Sequence, residues 1–246
     1  LAQAGSNIVV ASSVSESSAN QFRYRLPPLG ITARFIENGQ INHVEKAIDE
    51  HTKAVFVESI SSTDLLMSDI KAMAAVAHNL GVPLVVCVQT NLVYKLILTN
   101  AAYSDNTAGA GGFLLRPIDH GADIVIASAA EWLSISGLNS AGIIIDSGRF
   151  DWAKNKSRFP QFFEPSPGFH GLKLFEKFGN LSFISFSRAA IMRDTGPCLN
   201  PFEAFQLLSG LETLSVRIER NSANALQLAI WLESHEKIGN VGHPGL

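Results

Sequence analysis

The chain has 246 residues, 46% of them hydrophobic, which suffices for one large domain with a sizeable core. With 19 Lys and Arg against 22 Asp and Glu, the net charge is −3, which argues against a nucleic-acid or membrane-surface partner. Two cysteines, Cys87 and Cys198, are too few for a disulfide framework, and no apolar run reaches the roughly 18 residues of a membrane span, so a cytoplasmic protein is expected.

Leu1 to Gly5 carries neither the basic start nor the long apolar region of a signal peptide. It reads as the end of a helix, with Gly5 as a C-terminal stop. Together with Pro244-Gly245-Leu246 at the other end, it gives the chain two termini that read as cut. Asn7 to Ala11 is a strand candidate. Asn20 to Leu26 reads as helical, stopped by Pro27-Pro28, and Ile31 to Ile36 as a second strand. Asn42-His43-Val44-Glu45 has the spacing of a capping box, which predicts a helix running to about Glu50.

Ala54 to Glu58 is an unbroken apolar run ending in a carboxylate and reads as a buried strand. From Ser68 to Leu80, the apolar positions Ile70, Met73, Ala74, Ala77 and Leu80 form one helical face, closed by Gly81. Strands follow at Pro83 to Val86, Asp123 to Ala127 and Ala141 to Ile145. Strands alternating with helices predict an α/β fold with a mostly parallel sheet.

After Phe150 the texture changes. Lys154 to Pro167 is loop-like, broken by Pro160, Pro165 and Pro167. Asn200-Pro201-Phe202-Glu203 then opens a helix with a cap residue, a Pro at the first position and a Glu at the third. Its apolar stripe continues to about Glu233. The pattern predicts one long helix joining two parts of a fold, or a kink near Arg220-Asn221-Ser222.

The stretch Ala122 to Trp132 organises the rest. Ligands of open α/β sheets bind at the carboxyl ends of the strands. Ser128 to Trp132 is therefore expected to face a site. The residue offered there is Glu131. Upstream, Cys87 to Ser104 interrupts the alternation, and only after it comes Asp105-Asn106-Thr107. Removing 87–104 would join Val85-Val86 directly to Asp105. Val86-Cys87 can be encoded by GTATGT, and the codons of Leu98-Thr99-Asn100 can contain CTAAC, both typical of short fungal intron signals. The segment 87–104 is therefore read as an insertion, of the kind an unspliced intron would translate into.

Several stretches together resemble the pyridoxal-phosphate (PLP) enzymes of Cys/Met metabolism, and among them the O-acetylhomoserine sulfhydrylases. They are Asp105-Asn106-Thr107; Gly111 through Val125; Phe150-Asp151-Trp152; Phe159-Pro160-Gln161-Phe162; Glu164 through Leu172; Asn200-Pro201-Phe202; and Gly210-Leu211-Glu212-Thr213-Leu214-Ser215. The resemblance implies a type I aminotransferase-like large domain over 1–197. It also implies that 198–246 is a connecting helix leading toward a small C-terminal domain absent from this chain, and that part of the large domain's N-terminal side is absent too. The activity it implies is γ-replacement: an activated homoserine ester plus sulfide or a thiol gives homocysteine or a thioether.

The chemistry of such a site can be stated from the cofactor. PLP is an electron sink that needs a lysine to hold it, a carboxylate at its pyridine nitrogen, and hydroxyls or backbone N–H groups for its phosphate. Mapped by resemblance, the carboxylate falls on Asp105 and a phosphate hydroxyl on Ser128. The second hydroxyl position holds Ala130, and the Schiff-base lysine position holds Glu131. The stacking Tyr falls on Ser15, a cofactor-contacting Asn on Ser62, and the Gly/His-rich loop after the lysine reads Ser134-Ile135-Ser136. A carboxylate cannot form an imine, and at about 4 Å it would repel another anion by roughly 4 kcal/mol at an effective dielectric of 20. Loss of covalent cofactor binding is expected, with no catalytic residue at the lysine position. Lys95 is the lysine closest in sequence, but no spacing places it in the site.

Plainer readings stand beside these. Asp105 also suits an ordinary turn, Ser128 a strand end, and Glu58 a cap on the next turn. Gly109 to Gly112 lacks the Lys-Ser/Thr of a P-loop and suits turn geometry. His120 reads as structural, Cys87 and Cys198 as inert, and Trp132 and Trp231 as packing residues. The seven histidines show no metal-ligand spacing. Three expectations remain open. The chain is a pseudoenzyme fragment of the family; or it is a non-catalytic subunit that forms a homo-oligomer or pairs with an intact paralogue; or it is an active enzyme on a small amino-acid substrate, with Glu131 a one-base change from a Lys codon.

Overall fold

A computed structural model describes residues 1–37, 40–60, 67–88, 112–130, 132–135, 137, 141–243 and 245–246. Its centre is a sheet of β1 (Asn7–Ala11), β2 (Thr32–Ile36), β3 (Thr52–Glu58), β4 (Leu84–Val88), β5 (Ile124–Ser128) and β6 (Gly142–Asp146). The spatial order is β2-β1-β3-β4-β5-β6. The first five strands run parallel, and β6 returns antiparallel to β5. Every residue of β4 is buried, and so are Val55 and Val57 of β3, as expected for strands covered on both faces.

Between the strands lie α1 (Glu16–Asn20), α2 (Ile41–Ala47) and α3 (Ile70–Asn79). The predicted face of α3 holds: Ile70, Met73, Ala74 and Ala77 are buried, and Gly81 follows at φ 70°. Asp69 caps the helix by accepting from Ala72 N at 2.9 Å.

Three local expectations are corrected. The capping box does not form, because α2 starts at Ile41, one residue ahead of Asn42. Its cap, Gln40, makes no side-chain cap bond and instead donates to Glu37 at 2.8 Å. The helix stops at Ala47 because Ile48 is extended and Asp49 is drawn to the base of the sheet. Burial there pushes the Asp49 carboxyl upward, but hydrogen bonds from Asn7, Thr52 and Arg34 outweigh it and hold the pKa well below the usual carboxylate range. Gly5 takes a left-handed φ of 86° in a turn, with no helix before it. The first helix starts earlier than Asn20, at Glu16, because Ser15 caps it, and continues as a π-helical turn, Gln21–Arg25.

β4 continues through Cys87 and Val88, two residues into the segment read as an insertion. Cys87 lies opposite Glu58 and Ile126, and Val88 opposite Ala127. The rest of that segment, with Lys95, lies outside the described residues.

The loop-like region after Phe150 is held by rings. Phe150, Trp152, Phe159, Phe162 and Leu174 form a second buried cluster. Trp152 meets Phe159 and Phe162 edge-on, each at 5.0 Å, and its indole donates to Asn180 O at 3.0 Å. Arg158 ties this cluster to the sheet, donating to the carbonyls of Asp49 and Thr52 at 2.6 Å each and of Glu50 at 3.2 Å. Short helices α4 (Leu174–Phe178) and α5 (Ser182–Phe186) follow, then a π-helical segment leading to α6 (Arg193–Thr195).

The predicted 33-residue helix is two helices. α7 (Pro201–Leu211) and α8 (Leu214–Glu233) are separated at Glu212-Thr213 rather than near Arg220. Arg217 explains the break: its side chain donates to Gly210 O at 2.8 Å and to Trp132 O at 2.9 Å. Trp231 is 57% exposed, which overturns its reading as a packing residue.

At the start of the central strands, Asp123 is buried and its carboxylate meets His78 Nε2 at 2.7 Å. The hydrogen bond to Asp123 raises the His78 pKa above its ordinary 6.5, against a smaller opposing effect of burial. The charged ring therefore stabilises the fold fully below about pH 6.5, and that contribution is lost as pH rises through the raised value. Thermal unfolding across this range should show a midpoint that falls as pH rises, and His78→Ala should flatten that fall.

Candidate functional site

The parallel registers stack residues into rows across the sheet. One row runs Glu58, Cys87, Ile126, Ile144, and the next runs Phe56, Val85, Ile124. One face of these rows opens into a cavity of about 520 Å³. Its floor is apolar, with Ile8, Phe56, Val85, Ile124, Ile126 and Ile144. Its polar wall is Ser17, Ser18 and Gln21 from the first helical segment, with Ser128 at the carboxyl end of β5. This volume and lining suit a small, largely flat organic ligand held by a few polar groups.

Ser128 lines the cavity, and its hydroxyl accepts from Ala130 N at 3.3 Å to start the turn after β5. Glu58 is 3% exposed and accepts from Ser15 N at 2.8 Å, so it anchors the start of α1. Ser15, at the position of the stacking ring, has no ring to offer. Its hydroxyl caps α1 by accepting from Ser18 N at 3.3 Å and lies 3.2 Å from Ser17 Oγ. Ser134 is fully buried; it donates to Ala130 O at 2.5 Å and accepts from Gly137 N at 2.9 Å. It pins the loop that follows the lysine position. Asp105, Glu131 and Ser62 lie outside the described residues.

Cys87 lies in the cavity floor, and burial, with a smaller contribution from the charge of Glu58, pushes its thiol up to about 12. It is a protonated, unreactive thiol at neutral pH. Cys198 is exposed, and neither cysteine is in a disulfide. Among the described residues no cluster of His, Cys, Asp or Glu could hold a metal ion.

The sequence reading missed Ser17, Ser18 and Gln21. Their signal was the run Ser15-Glu16-Ser17-Ser18 at a helix start, a capping pattern whose Ser17 and Ser18 line the cavity only in the closed fold.

The comparisons agree with this geometry. A family model described as Cys/Met metabolism PLP-dependent enzyme matches residues 1–246. The chain belongs to that family. It is 47% identical over 246 residues to the homocysteine synthase of Schizosaccharomyces pombe, covering all of this chain and 53% of that protein. It is 38% identical over 254 residues to the O-acetyl-L-homoserine sulfhydrylase of Leptospira meyeri, again covering all of this chain and 53% of the relative. The chain thus spans about half the length of the curated relatives it matches. A solved O-acetylhomoserine (thiol)-lyase of Campylobacter jejuni superposes with TM-score 0.86 at 30% identity, over 100% of this chain and 56% of that one; it carries pyridoxyl-lysine phosphate. The O-acetylhomoserine sulfhydrylase of Wolinella succinogenes superposes with TM-score 0.77 at 29% identity, over 100% and 62% of the two chains. The family fold of a mostly parallel sheet flanked by helices is therefore the fold of this chain.

The described lining suits PLP only in part. The apolar floor suits a ring, and the hydroxyls of Ser17, Ser18 and Ser128 suit a phosphate. No described lining residue brings a lysine or arginine, so neither the tether nor a cation for the phosphate is present there. No reaction step through the cofactor follows from these residues.

The family stretch Gly210 to Ser215 has a physical reason here. A methyl group on Gly210 would lie 2.0 Å from Leu133 O, so only glycine lets α7 approach the loop after β5. Gly210→Ala should cost about 2 kcal/mol through this forced shift, read as a lower urea midpoint, whereas Ser209→Ala on the exposed side should change it little.

Proposed function

We propose that the chain is a non-catalytic relative of the O-acetylhomoserine sulfhydrylases that does not tether PLP. The reaction it descends from is γ-replacement on an activated homoserine ester, a small amino-acid substrate, by sulfide or a thiol. The observation that carries the reading is Glu131, three residues beyond Ser128, at the position where the resemblance expects the Schiff-base lysine. The described lining, with hydroxyls but no lysine or arginine side chain, supports it. Asp105 and Ser128 are then remnants of the cofactor site. The two unpaired cysteines support a cytoplasmic setting. Residues 1–197 are read as the large domain, with 87–104 an insertion in it, and 198–246 as the connecting segment.

The purified chain mixed with PLP should show no visible absorbance of lysine-bound pyridoxal and make no homocysteine. Glu131→Lys should gain the absorbance. A yellow, active wild-type protein would overturn the reading.

A second reading, pairing with an intact paralogue, is favoured by α7. Phe202, Phe205 and Leu208, three residues apart on one helical face, are 64–68% exposed. On this reading the tagged chain should retain a co-expressed full-length paralogue on an affinity column, and Phe205→Glu should release it. Equal retention of both versions would remove α7 as the contact.

A further inference from the structure

At the opposite end of the sheet from Ser128, by the starts of β4 and β5, lies a second cavity of about 430 Å³. Its walls come from His78 of α3, the turn from Ile118 to Asp123, and the segment from Arg149 to Asn155. Ile118, Ala122 and Phe150 form its apolar side, and the rings of Phe150 and His78 lie 5.9 Å apart. An adjoining cavity of about 420 Å³ shares His78, Asp119 and Gly121 and adds Lys71. Every wall residue lies between positions 71 and 155.

The charges on these walls are unevenly committed. Asp123 is held by His78 at 2.7 Å and by Leu84 N at 2.8 Å. Asp119 pairs at 3.3 Å with Arg116, which is not a wall residue. Asp151 accepts from Lys154 N at 2.9 Å, which fixes the turn but leaves its charge uncompensated. The cations differ. No described carboxylate lies within ion-pair distance of Arg149, Lys154 or Lys71. The Arg149 guanidinium makes one long bond, to Ile118 O at 3.4 Å. Three cations thus stand against the one uncommitted carboxylate of Asp151, a surplus of two positive charges.

We infer that this second cavity is a binding site for a small aromatic phosphomonoester. Such a phosphate carries about −1.5 to −2 charges at neutral pH, which matches the surplus on the walls. The planar fork of Arg149 can take two phosphate oxygens at once, and the Lys154 ammonium adds a point charge beside it. The volume exceeds what a lone oxyanion fills and falls in the range of sites for small organic molecules. The apolar side, with Phe150, receives the ring of the ester. The anion-binding side chains are set in advance. Phe150 is buried and Trp152 fully so, and Ser147 Oγ accepts from Arg149 N at 3.1 Å, so Arg149 and Lys154 spring from a fixed turn. The inference is independent of whether PLP is tethered at the other end of the sheet.

The test titrates the purified chain with phenyl phosphate and follows the amide NMR spectrum. Saturable shifts should concentrate at 118–123 and 149–155. Phenol, which keeps the ring, and inorganic phosphate, which keeps the charge, should each bind about tenfold more weakly or worse. Arg149→Gln and Lys154→Gln should each weaken phenyl phosphate by about tenfold with an unchanged circular dichroism spectrum. Lys46→Gln, at an exposed position of α2, should bind as the wild type does. Shifts that never saturate, phenol or inorganic phosphate binding as tightly as the ester, or shifts centred on 17–21 and Ser128 would each overturn the inference. So would an affinity unchanged in both cavity variants, or one lowered equally by Lys46→Gln.

Discussion

The carboxylate of Asp123 determines where the central strands begin. It is buried, accepts from Leu84 N at 2.8 Å, and holds His78 at 2.7 Å. Its backbone carbonyl takes Ser147 N. One residue thereby joins the starts of β4 and β5, the end of β6 and the last turn of α3. A buried charge is tolerated only when it is paired and hydrogen-bonded, and this one is both. The register that follows from it sets Cys87 beside Ile126 and delivers Ser128 to the carboxyl end of the sheet. Cys87, Ile126 and Ser128 of the candidate site are positioned by that alignment.

At the far end of the same strands lies the candidate cavity. The hydroxyl-rich start of α1, the buried Glu58 that anchors it and the apolar floor shape it. The turn after β5 is pinned, by Ser134 from within and by Arg217 and Gly210 from α7 and α8. Such contacts serve folding as much as any chemistry at the site. The chain belongs to the Cys/Met metabolism PLP-dependent family over residues 1–246.

The molecule is unevenly covered. The aromatic cluster around Trp152 is as dry as the sheet interior, and Arg158 joins the two. β6 and α7, by contrast, present isoleucines and phenylalanines to solvent. Exposed apolar residues in ordered rows are the common mark of interaction surfaces.

The primary structure by itself determined the β/α alternation, the buried face of α3, the cap at Asn200 and the family, because these depend on periodicity and on short runs of neighbouring residues. Four things it did not determine. The end of α2 at Ala47, short of Glu50, depended on Asp49 being drawn away to Asn7, Thr52 and Arg34. The break in the long helix depended on Arg217 reaching Trp132, 85 residues earlier in the chain. The serines of α1 became a cavity wall only by folding over strands further along. The antiparallel return of β6 depended on Ser147 and Ala141 meeting Asp123 and Ala129 of the neighbouring strand. Each of these is a contact between residues distant in sequence, and no local pattern encodes a partner that only the closed fold brings near.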